Sequence, residues 1–173
     1  MNEILEKMRT RRSIRKFRSD MLPDNVIDKI IEGGIYAARG RNFQSPIVVA
    51  VTDKETRDRL SRVNAEIMGG SGDPFYGAPV VLIVLGYKSR PTCVYDGSIV
   101  MGNLMLAAHS LGVGSCWIHR AKETFERPEW KEWLRSVGVE GDYEGIGNCV
   151  IGYIDGEYPE EKPRNDGRVF FVK

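Results

Sequence analysis

Two apolar segments constrain the fold before anything else does. Residues 94–112, VYDGSIVMGNLMLAAHSLG, have helical length but are apolar around most of the circumference, and APVVLIVLGY at 78–87 is almost continuously apolar. A helix without a polar face belongs at the centre of a molecule. An apolar run of strand length belongs in a sheet covered on both faces. The chain therefore has to wrap other elements around this helix and this strand. At 173 residues it is long enough for one core, burying roughly 70% of its unfolded surface.

The flanking segments supply those elements. From Pro23, PDNVIDKIIEGGIYAARG repeats apolar residues at three- and four-residue steps and predicts an amphipathic helix ending near Gly40. SPIVVAVTD predicts a strand, and DKETRDRLSRVNAEIM a helix through Leu60, Val63 and Ile67. MGGSGDPFYGAP is a loop by its Gly and Pro content. VGSCWI and NCVIGYI predict further strands, and RPEWKEWLRSVG a surface helix with Trp130, Trp133 and Leu134 inward. After the polar stretch EYPEEKPRNDG, RVFFVK is a β-type segment with nothing following it, the kind of strand that pairs with another chain's sheet edge. There is no internal repeat.

Several chemistries are excluded by what is missing. MNEILEKMRT lacks the apolar stretch of a signal peptide and no segment approaches the ~20 apolar residues of a membrane span, so a soluble, cytoplasmic protein is expected. Cys93, Cys116 and Cys149 are odd in number and widely spaced, which indicates buried thiols rather than disulfides or zinc; with His109 and His119 the only histidines, no metal site is expected. The glycines of 69–77 lack Gly-Lys-Ser/Thr, and GVGSCW at 112–117 lacks the third glycine of a dinucleotide fingerprint. Cys116 and His119 as nucleophile and base have only sequence proximity behind them.

The charge is concentrated. Residues 9–18 carry Arg9, Arg11, Arg12, Arg15, Lys16 and Arg18 with no acid, whereas the whole chain sums to +1, so the remainder is five charges negative. A nucleic-acid coat spreads its cations over a face; here one local anion site is expected. Ile14 and Phe17 interrupt the run, and in extended backbone Arg11, Ser13 and Arg15 share a side. Two guanidinium forks and a hydroxyl suit a phosphate. Read alone, the stretch fits either such a site or a solvated basic arm.

RRSIRKF resembles the R-x-S-x-[RK] opening of the nitroreductase family, whose members bind FMN non-covalently. GRNFQSP at 40–46 is similar to that family's Asn-x-Gln segment, YGAPVVLIV at 76–84 to its Ala-Pro and apolar strand, DGSIVMGNLMLAAHSLGVGSCWI at 96–118 to its central helix and next strand, and KPR at 162–164 to its Lys-x-Arg. Five segments in the family's order span nearly the whole chain.

The resemblance implies an α+β fold of helices around a mainly antiparallel sheet, one domain over 1–173, with an extension from about 155 whose terminal strand is exchanged in a homodimer. It implies that Arg11, Arg12, Ser13, Arg15, Lys162 and Arg164 gather on the FMN phosphate and ribityl chain. Arg39, Gly40, Asn42 and Gln44 belong to the segment that reaches the partner's flavin, and Trp117, Ile118 and His119 lie beside the isoalloxazine. The activity implied is hydride transfer from NADH or NADPH through flavin N5 to a nitroaromatic, quinone or similar acceptor, with no catalytic acid or base. His119 stands where glycine is common, Ala38-Arg39 where Pro-Ser is usual and Ser45-Pro46 where Pro-Trp is usual; a specialised oxidase or dehydrogenase of the same fold is the alternative. A non-enzymatic basic arm that binds nucleic acid is the remaining one.

Overall fold

The computed structural model describes residues 2–173. Its elements are α1 (Glu3–Thr10), α2 (Asp24–Ile35), β1 (Ile47–Val51), α3 (Lys54–Ile67), β2 (Val80–Tyr87), α4 (Cys93–Ser110), β3 (Gly114–Ile118), α5 (Ala121–Glu126), α6 (Pro128–Ser136) and β4 (Tyr143–Gly152). The four strands form an antiparallel sheet in the order β1-β2-β4-β3. No helix among the described residues is long and apolar enough to cross a membrane.

The apolar run of β2 occupies the middle of the sheet because both of its faces are covered. Val81, Ile83 and Leu85 face a core built from Leu60, Val63, Phe125 and Trp130 of α3, α5 and α6. Val80, Leu82 and Val84 face a second core with Ile27 and Ile30 of α2 and Val100, Met101 and Leu104 of α4. The result is three layers, helices on both sides of one sheet.

Close approach between layers needs glycine in two places. A Cβ on Gly33 would lie 2.8 Å from Ala107 Cβ, so α2 can lie directly on α4. A Cβ on Gly145 would overlap the Ala121 carbonyl, which is backbone and has little room to yield.

Two expectations are corrected. The helix from Pro23 ends at Ile35, not near Gly40, because residues 39–42 are drawn to α4: the Gly40 N–H donates to Asp96 Oδ1 at 2.9 Å. NCVIG of NCVIGYI is the second half of a longer strand, Tyr143–Gly152, whose Tyr143 pairs with Tyr87 across a register shift at Val84/Leu85, and Tyr153 and Ile154 lie beyond its end. RVFFVK makes no ladder within the chain; Phe170 and Phe171 are 86% and 80% exposed. Helices α1 and α5 are additions to the expected set, both too short to carry a decisive apolar period.

The glycine-rich loop is structural. Asp73 accepts from Arg57 Nη2 (2.6 Å), Ser61 Oγ (2.6 Å) and the Phe75 and Gly77 amides (2.9 and 2.8 Å), while Arg57 Nε donates to the Ala78 carbonyl (2.9 Å). Burial pushes the Asp73 carboxyl up, and these donors more than offset it, holding it below its ordinary value.

Gly145→Ala should destabilise the fold by about 2 kcal/mol or more, since overpacking against fixed backbone is relieved only by moving a layer. Gly72→Ala, where an added Cβ meets nothing, should change stability by no more than about 0.5 kcal/mol. Denaturant midpoints of the two variants check this.

Candidate functional site

The basic stretch is built into the sheet. After α1 ends at Thr10, the chain runs extended beside β3: Ser13 pairs in parallel with Ser115, and the Ile14 amide donates to the Ser115 carbonyl at 2.9 Å. Further on, Phe17 bridges Ile154, and the Arg18 amide donates to the Tyr153 carbonyl at 2.9 Å. Ile14 and Phe17 anchor it in the core. A solvated arm would have neither the ladder nor the anchors.

This seating sorts the cations by alternation. Burial pushes the Cys116 thiol up, against the opposing influence of Arg15, the Ser13 hydroxyl and Arg11. Arg12 turns elsewhere: its Nη1 donates to the Arg9 and Arg11 carbonyls (2.8 and 2.9 Å), and Nη2 meets Glu161 at 3.2 Å. Lys16 pairs with Asp155 (2.9 Å) and Arg18 with Asp20 (2.8 Å). Arg11 and Arg15 have no carboxylate partner among the described residues. Arg11 Nη1 and Arg12 Nε are buried without an acceptor. Buried donors left open are costly.

The tail is clasped to this region by groups that no local pattern singles out. Tyr158 Oη accepts from the Arg12 amide (2.9 Å), donates to the Thr10 carbonyl (2.9 Å) and lies 3.3 Å from His109 Nδ1. Thr10 Oγ1 donates to the Glu6 carbonyl (2.8 Å), so it accepts at 2.9 Å from His109 Nε2–H, which assigns the tautomer. Beyond Glu161 the tail is exposed, Lys162 and Arg164 included.

At the other end of β3, Trp117 packs over Gly147 and Met101, and Ile118 is buried on the opposite face. The His119 ring is exposed, but its carbonyl is fixed by Asn64 Nδ2 at 2.8 Å, from a fully buried asparagine of α3. Arg120 then turns the chain with φ 74°. Asn64 interrupts the apolar face of an amphipathic helix, the signal by which it could have been selected.

Residues 39–44 lie at the opposite sheet edge, before β1. From β1 to the Ser13 segment there are four strand spacings, about 19 Å. Arg39, Gly40, Asn42 and Gln44 therefore do not meet the Arg11 cluster within one chain; Asn42 and Gln44 are exposed. Asp96 pins this loop through Gly40 and accepts from Thr92 Oγ1 at 2.8 Å. The thiols take no part: Cys93, Cys116 and Cys149 are buried and unpaired, and burial pushes Cys149 up to about 12. With Cys116 in the core and the His119 ring in solvent, they form no nucleophile and base pair.

Fold and site together define an α+β domain with an anion-ready edge on a helix-covered antiparallel sheet. The model of the Nitroreductase family matches residues 8–74 and 66–153. A putative NADH dehydrogenase/NAD(P)H nitroreductase of Methanothermobacter thermautotrophicus is 32% identical over 119 residues, 66% of this chain and 60% of that protein's length. The NADPH-flavin oxidoreductase of Vibrio harveyi is 25% identical over 95% of this chain and 70% of its own. In structure, a nitroreductase with bound FMN from Bacteroides fragilis superposes with a TM-score of 0.91 at 27% identity, covering 100% of both chains. The chain belongs to the nitroreductase family.

Burial and the nearby cations Lys7, Arg11 and Arg12 hold His109 below its ordinary value of 6.5. The unfolded chain takes up this proton more readily than the folded one. Stability is therefore undiminished above about pH 6.5 and falls as pH drops through that value toward the lower folded pKa. His109→Gln should flatten the decline in Tm between about pH 7 and pH 5; an unchanged pH slope would remove His109 from the clasp's titration.

Proposed function

We propose that this chain is an FMN-dependent oxidoreductase that works as a homodimer, taking hydride from NADH or NADPH and delivering it to a nitroaromatic, quinone or similar acceptor. The observation that carries the reading is the buried, unpartnered Arg11 Nη1 beside Ser13 and Arg15, which fits the phosphate of FMN. FMN, when bound, would supply a carrier that accepts hydride at N5 and passes it on. The names of the relatives, which include an FMN reductase [NAD(P)H] of Bacillus subtilis, support this reading.

The chain's own part is holding and orienting. Arg11, Ser13 and Arg15 hold the phosphate with charge-assisted hydrogen bonds, and Arg12, anchored to Glu161, offers its buried Nε from the other side. Trp117, Ile118 and His119 border the ring, with the turn after β3 fixed through Asn64. Asn42 and Gln44, with Arg39 and Gly40, complete the site from the second subunit. Stacked, dry reactants need no proton donor from the protein.

The second subunit also answers the apolar excess of α4. Its outer face exposes Val94, Tyr95 and Ile99, with Tyr95 at 71%, and α1 exposes Ile4, Leu5 and Met8. Exposed apolar side chains on these two helices are surface that association would bury. Val169, Phe170, Phe171 and Val172 are the exchanged strand, and Lys162 and Arg164 reach a phosphate once the tail is docked.

Arg15→Glu should purify largely without flavin, since a carboxylate would face the phosphate, whereas Arg18→Glu should keep its chromophore. Visible absorbance of the purified proteins decides; full occupancy in Arg15→Glu would overturn the phosphate assignment. Deleting residues 162–173 should lower both flavin occupancy and the dimer fraction, read by light scattering. A truncated protein that stays dimeric and fully flavinated would show the tail to be dispensable.

A further inference from the structure

His109 is a titratable group that hydride transfer does not use, and it sits where three parts of the chain meet. It occupies the last turn of α4, and its ring stacks on Tyr158 of the tail with centroids 5.9 Å apart. Its Nε2–H donates to Thr10 Oγ1 at 2.9 Å, while Tyr158 Oη accepts from the Arg12 amide and donates to the Thr10 carbonyl, both at 2.9 Å. The groups so bonded are the residues on either side of Arg11, whose Nη1 is buried without an acceptor. With the phenolic proton committed to Thr10, the unprotonated Nδ1 faces a lone pair of Tyr158 at 3.3 Å. A neutral ring gains nothing from that contact.

The same geometry suits an imidazolium. A proton on Nδ1 would be donated to Tyr158 Oη, so both ring N–H groups would have acceptors. A cation in the last turn of a helix is also favoured by the carbonyls that end there. Charge opposes it. Burial holds the ring below its ordinary value of 6.5, and Lys7 of α1 with Arg11 and Arg12 of the basic segment add to the effect. From the tail the titratable group facing the ring is Tyr158, Glu161 is taken by Arg12, and residues 97–108 of α4 carry no ionisable side chain. The ring thus has the hydrogen-bond partners of a charged histidine without its counter-charge. An anion held at Arg11 supplies that charge, and a ligand that eases a protonation is bound more tightly once the proton is on.

We propose that His109 is a positioning residue for the anion site: a dianion bound at Arg11 draws a proton from solvent onto Nδ1, and the imidazolium, acting through Thr10 and Tyr158, fixes the tail on the basic segment and tightens the anion. Affinity for an anion of constant charge then rises as pH falls through the His109 midpoint. The inference rests on the proposed function for the identity of the anion, the phosphate of FMN, and on the Arg11 site alone for the linkage.

The chain has two histidines, so proton NMR of the full chain follows the His109 ring with the exposed His119 as an internal control. The probe is sulfate at constant ionic strength, because its charge does not change over this pH range whereas a phosphate monoester titrates within it. Saturating sulfate should raise the His109 midpoint by about one pH unit and leave His119 unmoved, which by linkage is about a tenfold tighter hold on sulfate when His109 is protonated. Calorimetric titration with sulfate at about pH 8 and pH 5 reads that gain directly. It should vanish in His109→Gln and weaken in Tyr158→Phe, whereas a packing role alone would lower affinity equally at both pH values. A His109 midpoint unmoved by bound sulfate, or an undiminished gain in His109→Gln, would overturn the proposal, and the NMR arm needs no variant to fold. FMN should raise the midpoint as sulfate does, and riboflavin, which lacks the phosphate, should not. A protein that shows the sulfate linkage and binds no FMN overturns the proposed function and leaves the linkage standing.

Discussion

The rest of the structure depends on the burial of α4. One side of this helix lies on the sheet through Val100, Met101 and Leu104, another receives α2 where Gly33 lets the backbones approach, and its two ends each carry a polar group that organises a distant loop. Near the N-terminus, Asp96 holds Gly40 and with it residues 39–44. Near the C-terminus, His109 meets Thr10 and Tyr158, the junction of the basic segment and the tail. Thirteen residues of helix separate them, about 20 Å at 1.5 Å per residue. The four strand spacings between the same regions give a similar span. One rigid element therefore holds the basic segment and the loop at 39–44 about 20 Å apart.

The half-sites differ in how they are made rigid. The basic segment is held by backbone: a parallel bridge at Ser13, an antiparallel one at Phe17 and two core side chains between the cations. Alternation then decides the direction of each charge without further control. The loop at 39–44 has no ladder and is held by side chains against strain, through Asp96, Thr92 and Arg90. A backbone-held site tolerates side-chain exchange on its outer face, whereas a side-chain-held loop loses its shape when a clamp is removed.

What was legible in the sequence follows the same division. The apolar runs of β2 and α4 placed the centre of the fold, because no other arrangement buries them. The end of α2 was misread because periodicity continues through Ala37 and Ala38, while what stops the helix is a carboxylate 56 residues away. Asn64, Tyr158 and Asp96 were not selected for the same reason. Each acts through a partner distant in sequence, and no local pattern encodes that partner. Arg12 is divided: Glu161 in the tail takes its Nη2, while its Nε stays buried without an acceptor.

Burial, rather than the absence of a partner, is what distinguishes the cations that matter. An arginine on the surface without a carboxylate nearby is solvated and costs nothing, and many of this chain's cations are of that kind. Arg11 is different because its Nη1 is out of reach of water and of any acceptor in the chain. A donor in that position destabilises the folded chain until an anion arrives. The folding free energy given up there reappears as affinity, since a ligand that binds only the native state returns it on binding. The same segment that closes the sheet edge is thus incomplete by itself, and its charge is matched by something the chain does not encode.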